Sequence, residues 1–195
     1  MSKQIKLAAI APTHLNLNGD LGNLLVLQKR LEWRGVSSSI THLQGPEELQ
    51  DFDYVLLGHG SNAAWLQLLQ RSSDLFERCV SYIEASGALL AVASGADRLM
   101  PLLTGVEIQN GDRVSEFVSE DSVVGYLNTT SKADRLLWHK NALLTQLHGP
   151  VLAKNPGLAD GILAMNDWVD ISISNEQLAA VDDLAALSRK TAFEH

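Results

Sequence analysis

The stretch "LLAVASGADRLM", residues 89–100, constrains the fold more than any other part of the chain. Leu89 to Val92 form an apolar run of the length of a strand buried on both faces, and the small residues Ala93, Ser94 and Gly95 follow at once. Beyond them the pattern is that of a helix. A buried strand that turns sharply into a helix is the repeating unit of a parallel α/β sheet. Ligands of such sheets bind in the crevice beyond the carboxyl ends of the strands, where a strand-to-helix elbow commonly carries a nucleophile above free helix amides. Here the tip is Ala93, which has no nucleophilic atom.

The first half of the chain repeats this alternation. Strands are predicted at about 5–11, 36–42, 52–57 and 88–92. Between the first two, "DLGNLLVLQKRLEWRG" predicts a helix that starts at the acidic Asp20, stops near Gly35 and lays Leu21, Leu24, Leu25, Gln28 and Leu31 along one face. A further helix places Leu75, Phe76, Cys79, Val80 and Ile83 at helical spacing before Gly87. After Gly105 the texture changes to "RVSEFVSEDSVVGYLNT", which predicts antiparallel strands with tight turns and therefore a mixed sheet. Helices at about 156–165 and 175–188 close the chain. No repeat or linker interrupts residues 1–195, so one domain is expected.

Charge and cysteine content exclude several functions. A net charge of -8 with scattered basic residues lacks the footprint of a nucleic-acid binder. The single cysteine, Cys79, rules out an internal disulfide and suits a reducing compartment, so the cytoplasm is the expected location. The apolar run Leu7 to Ala11 is too short for a secretory leader, and no later run reaches the roughly 18–20 apolar residues of a membrane span.

Four places are candidates for chemistry. Ser94, next to the elbow tip, is an alternative nucleophile, although "VASGA" is not G-x-S-x-G and a serine there also serves as a helix cap. Cys79 lies on an apolar helix face away from the crevice, where a thiol behaves as a small hydrophobe. In "TQLHGPVLAKNPGLAD" a strand is expected to end at His148, which points it at the crevice as a base or leaves it as a polar strand end. In "GHGSNAAW", Gly58 and Gly60 permit close main-chain approach to a ligand, and Ser61 or Asn62 can start a helix. The other histidines, His14, His42, His59, His139 and His195, show no metal-ligand spacing. Neither a metal nor a cofactor is expected.

Three stretches together resemble a known family: "LNLNGDLGNLLVLQKRLEWRG", "YVLLGHGSN" and "LHGPVLAKNPGLAD". Over about residues 6–166 the chain is similar to the GatD-like glutaminase subunits of lipid II isoglutaminyl synthase, among the cobyric-acid-synthase-like class I glutamine amidotransferases. The resemblance implies a three-layer α/β fold with a mixed, mostly parallel sheet. It also implies an elbow cysteine that attacks glutamine, a histidine at His148, and a Mur-ligase-like synthetase partner that uses the ammonia to amidate lipid II. Yet where the family reads Cys-Gly-Gly-Tyr-Gln this chain has Ala93, Ser94, Gly95, Ala96 and Asp97. In "GYLNTTSKA" Asn128 matches the family, while its substrate-binding arginine becomes Lys132, a poorer bidentate partner for a carboxylate.

Loss of the nucleophile from an acyl-transfer site costs about 10⁶ in turnover. The changes at Ser94, Ala96, Asp97, Leu127, Thr129 and Lys132 extend beyond a single knockout and point to a natural, degenerate member. The expectation is a glutaminase-like subunit without glutaminase activity that still binds its synthetase. Two alternatives stand beside it: an active glutaminase or hydrolase using Ser94 and His148, and a domain that binds glutamine or another small carboxylate through Lys132.

Overall fold

The computed structural model describes residues 4–46 and 48–193; His195 lies outside the described residues. Its centre is a six-stranded sheet built from β1 (Ile5–Ile10), β2 (Ser38–Leu43), β3 (Tyr54–Leu57), β4 (Ala88–Val92), β7 (Leu136–His139) and β8 (Ala142–Thr145). Their order across the sheet is β2-β1-β3-β4-β8-β7. Every neighbouring pair is parallel except the edge pair β7 and β8, so the sheet is mixed, but through Leu136–Thr145 and not through the 113–129 segment from which the antiparallel strands were expected.

Side chains alternate across this sheet. Leu7, Ala9, Leu56, Leu90, Val92 and Leu143 pack on the side of α1 (Gly22–Glu32), α5 (Val151–Lys154) and α6 (Pro156–Met165). Ala8, Ile10, Val55, Leu57, Leu89, Ala91 and Leu144 pack on the side of α2 (Asn62–Arg71), α3 (Leu75–Glu84) and α4 (Ser94–Thr104). Both faces are covered, which is why the strands read as unbroken apolar runs. A register slip of one residue would exchange the two sets, so dense packing on both sides pins the register. Burial of each such leucine contributes about 2 kcal/mol before the entropy of ordering is counted.

The antiparallel segment forms its own two-stranded sheet, β5 (Asn110–Glu120) and β6 (Val123–Ser131). Asp121 and Ser122, at φ +48° and +68°, make the two-residue turn whose twist matches the strands it joins. Val118, Val123 and Leu127 anchor the hairpin in the core, and the His148 N–H donates to the Tyr126 carbonyl at 2.9 Å. The last helix, α7 (Glu176–Ala192), extends past the expected end and is capped by Asn175, whose side chain accepts from the Leu178 N–H.

Three further details differ from expectation. The strand before His148 stops at Thr145, and the short α5 follows the Gly-Pro turn. Asp20 does not start α1; the helix begins at Gly22 and the Asp20 carboxylate turns inward, fully buried. The buried face of α1 is also rotated: Leu25 is 51% exposed, whereas Asn23, Leu27 and Arg30 are inside. The cause is polar pairing. Asn23 donates to the Asp20 and Gly149 carbonyls and accepts from the Leu152 N–H, and Arg30 reaches carboxylates on α6 and α7.

Candidate functional site

Four connections meet where the parallel strands end: the turn after β1, the loop after β3, the elbow after β4 and the loop after β8. At the elbow, Ala93 has φ +47° and ψ -113°. An L-residue with a Cβ rarely adopts this conformation, and such strain is held only when its surroundings over-determine it. Two things do so here. The Ala93 N–H donates to the Thr145 carbonyl at 2.7 Å, and Gly95 lies so close to β3 that a Cβ there would sit 2.8 Å from the Leu57 and Gly58 carbonyl oxygens. The strand-to-helix elbow is present in shape, with a methyl group at its strained tip.

The main-chain amides that would stabilise an oxyanion beside this tip have other partners. The Ser94 N–H donates to His59 Nδ1 at 3.3 Å, the Gly60 N–H to Ser94 Oγ at 3.1 Å and the His59 N–H to Asp20 Oδ2 at 2.8 Å. Ser94 Oγ also accepts from Trp65 Nε1 at 2.8 Å, and lies 2.9 Å from His59 Nδ1 and 3.1 Å from the Gly60 carbonyl. Its lone pairs are thus taken by the Gly60 and Trp65 N–H groups, and its proton is shared between His59 and Gly60. The serine pairs with His59 rather than with His148, the partner expected from the sequence. Burial pulls the His59 pKa down to about 4, helped by the nearby His148 and Arg98, so this imidazole is a weak base.

His148 is in the same cluster. Its ring meets that of His59 edge to face with centroids 4.8 Å apart. Asn18 Nδ2 donates to His148 Nδ1, which leaves Nε2 as the protonated nitrogen, and the other polar contact of the ring is to the main chain of Asn128. Burial lowers its pKa, against the pull of the Asn128 main chain and the Asp97 carboxylate. The imidazole is held at both nitrogens.

Gly58 and Gly60 are needed for close approach, as their sequence context implied, but the approaching chain is the protein's own. A Cβ on Gly58 would lie 2.0 Å from the Leu15 carbonyl oxygen, and one on Gly60 would lie 2.7 Å from Leu15 Cδ2. Asn128 is exposed on β6, and its side chain accepts from Arg113 on β5 at 2.6 Å. Lys132 follows β6 and lines two cavities, neither of which is lined by Ala93 or His148. Cys79 is buried, and burial pushes its thiol up to about 12, consistent with an inert packing role. Among the described residues no group of three or more His, Cys, Asp or Glu side chains is placed to hold a metal, and no helix is long and apolar enough to cross a membrane.

Sequence reasoning missed Asp20, His59 and Asp97. Asp20 Oδ1 has no hydrogen-bond partner among the described residues, and burial raises the Asp20 pKa to about 6 although the His59 and Gly149 amides pull it down. His59 was visible only as a histidine between two glycines. Asp97, one turn beyond the elbow tip, accepts from Ser131 Oγ at 2.6 Å and from Gln146 Nε2 at 2.9 Å. The one available signal was that both Asp20 and His59 lie in stretches that carry the family resemblance.

No protein-family model matches the chain, and no curated protein matches it in sequence. Solved structures match its fold. A glutamine amidotransferase from Thermotoga maritima is 14% identical with a TM-score of 0.52, covering 96% of this chain and 93% of its own. A second glutamine amidotransferase is 14% identical with a TM-score of 0.52, covering 82% of this chain and 98% of its own. A protein from Thermoplasma acidophilum, described as one subunit of GMP synthase, is 13% identical with a TM-score of 0.52, covering 86% and 96%. At these identities the likeness concerns the fold: a mostly parallel sheet flanked by helices, of the glutamine amidotransferase-like kind.

Proposed function

We propose that this chain is a glutaminase-like subunit that does not hydrolyse glutamine and instead serves a Mur-ligase-like synthetase as a docking subunit in lipid II amidation. The observation that carries the loss of chemistry is the elbow itself. Ala93 occupies the strained tip, and the Ser94, His59 and Gly60 N–H groups around it are capped by His59, Asp20 and Ser94. An oxyanion formed there would lack both its nucleophile and donors free to meet it.

Two observations support the choice of partner. The three stretches that resemble lipid II isoglutaminyl synthase are far apart in sequence but meet through Asn18, Asp20, His59, His148 and Gly149. One protein of similar fold is described as a subunit of a synthase, which suits a role that depends on a second chain. Retention of this framework around an unreactive tip is understandable where the framework shapes a docking surface.

The test combines ammonia release from glutamine with co-purification of a Mur-ligase-like synthetase. The wild-type chain is expected to release no ammonia above background, alone or with the synthetase, and to be recovered with it. Ala93→Cys alone is expected to remain inactive because the capped amides persist. Steady glutaminase turnover that His148→Ala abolishes would overturn the proposal, as would failure to recover the synthetase.

A further inference from the structure

Helix α7 has two apolar faces. Leu178 and Ala185 are buried against the body of the protein. Ala180, Leu184, Leu187 and Thr191, spaced by four, three and four residues, form a straight stripe on the outer side, and all four are exposed. Leu184 is 65% exposed and Leu187 61%, so most of each side chain faces water. Beside the two leucines lies an open recess of about 520 Å³, walled by Phe117 on β5, Lys154 of α5 and Thr191. The Phe117 ring is steadied by an edge-to-face contact with Tyr126, the centroids 5.2 Å apart. A single exposed leucine needs no explanation, but a projecting pair joined to an aromatic-walled recess does. A two-fold interface requires this combination, because one patch must supply both the projection and what receives it.

The charges on α7 select the occupant and its direction. The acidic residues Glu176, Asp182 and Asp183 lie in the first half of the helix, and the basic Arg189 and Lys190 lie near its end. Asp182 is committed to Arg30, and Arg189 donates to the Lys154 carbonyl. Asp183 and Lys190, both exposed and two turns apart, flank the leucine stripe along one edge. An antiparallel second copy of α7, related by a two-fold axis between Leu184 and Leu187, sets Leu184 on Leu187 of the second copy and Ala180 on its Thr191. Asp183 then stands beside Lys190 of that copy, and each match occurs twice. A parallel pair would set Asp183 against Ser188 and leave the charges unmatched.

We infer that α7 is a self-association surface: two copies of this chain pair antiparallel through Leu184 and Leu187, with Asp183 of each beside Lys190 of the other. The patch supplies both sides of every match, which is why the occupant is a second copy and not a chain of another sequence. This inference does not rest on the proposed docking role, since the groups that meet at the elbow come from other elements.

Sedimentation velocity of the full chain tests it. The wild type is expected to pass from monomer to dimer between about 1 and 300 μM, as befits a small interface. Leu184→Glu, at an exposed helix position that should leave the fold intact, is expected to raise the dimer Kd about 30-fold or more. Asp183→Lys and Lys190→Asp each set like charges together and are expected to weaken the dimer about tenfold, whereas their equimolar mixture restores both pairs and should associate as the wild type does. A wild type that is monomeric at about 300 μM, a dimer that Leu184→Glu leaves intact, or a mixture that associates no better than either charge variant alone would overturn the assignment. A monomeric wild type whose recovery with the synthetase is lost in Leu184→Glu would give the face to the synthetase and overturn it equally. Ammonia release and recovery of the synthetase by the wild type are read separately, so the two proposals fail separately.

Discussion

Asp20 and Arg30 are both buried, one just before α1 and the other in its last turn, and the fold satisfies them in opposite ways. Arg30 donates to Asp160 at 2.6 and 2.7 Å and to Asp182 at 2.7 Å, while Arg34 adds a 2.9 Å bond to Asp160. Burial alone would lower the Arg30 pKa, but the two carboxylates outweigh it and hold the guanidinium firmly charged. Asp20 has no cation beside it among the described residues. It receives the His59 N–H, leaves Oδ1 unpaired and has its pKa raised to about 6. The Arg30 cluster joins α1 to α6 and α7 through charge, whereas Asp20 joins three loops with a carboxyl group whose pKa is raised to about 6. A buried charge with a full set of partners can carry architecture; one without them becomes sensitive to protons.

The largest effect should come from breaking the paired region. Asp160→Ala removes the bidentate partner of a buried guanidinium and is expected to cost about 3–5 kcal/mol, measured by urea unfolding at pH 7. A loss below about 1 kcal/mol would mean that Asp182 alone holds Arg30.

The next effect sharpens the unpaired region through pH. The raised pKa of Asp20 means that between about pH 4 and 6 the folded chain holds a proton that the unfolded chain has released, so this group makes stability fall as pH rises, by at most about 3 kcal/mol. The depressed pKa of His59 acts the other way: between about pH 4 and 6.5 the unfolded chain holds the extra proton, and stability rises with pH. In the wild type the two nearly cancel over this range. Asp20→Asn should expose a rising profile of up to about 2 kcal/mol, allowing for the partial solvent access of His59. His59→Gln should expose a falling one. Equal profiles for both variants and the wild type would show that neither group titrates with folding.

The smallest effect concerns the elbow. Ala93→Gly relieves a positive φ at an unreactive tip and is expected to raise stability by about 1 kcal/mol, after the entropy of the added glycine is deducted. Thermal unfolding reads this as an increase of a few degrees, about 2–4 °C. A decrease would mean that the Ala93 methyl packs more strongly than its backbone is strained.

Much of the fold was legible because it rests on local periodicity. Ala88–Val92 and Pro156–Met165 run as expected, and Ser61 caps α2 as its position before "NAAW" implied. The face of α1 was misjudged because apolar spacing favours Leu25, and nothing local reveals that Asn23 and Arg30 find partners more than a hundred residues away. The site was legible in position more than in chemistry. His148 and Ser94 do converge near the elbow, but their partners, Asn18 for one and His59 for the other, come from different loops.

By itself the sequence determined that the chain makes an α/β sheet, that an elbow follows β4 and that no nucleophile stands at its tip, because strand length, helical spacing and side-chain identity are local properties. Only the tertiary structure decided that the amides around Ala93 are capped and that, among the described residues, Asp20 is buried with no cation beside it and the Gln146 Oε1 has no donor. The reason is physical: hydrogen bonds and desolvation depend on which atoms meet in space, and here the meeting groups come from connections that only sheet order brings together.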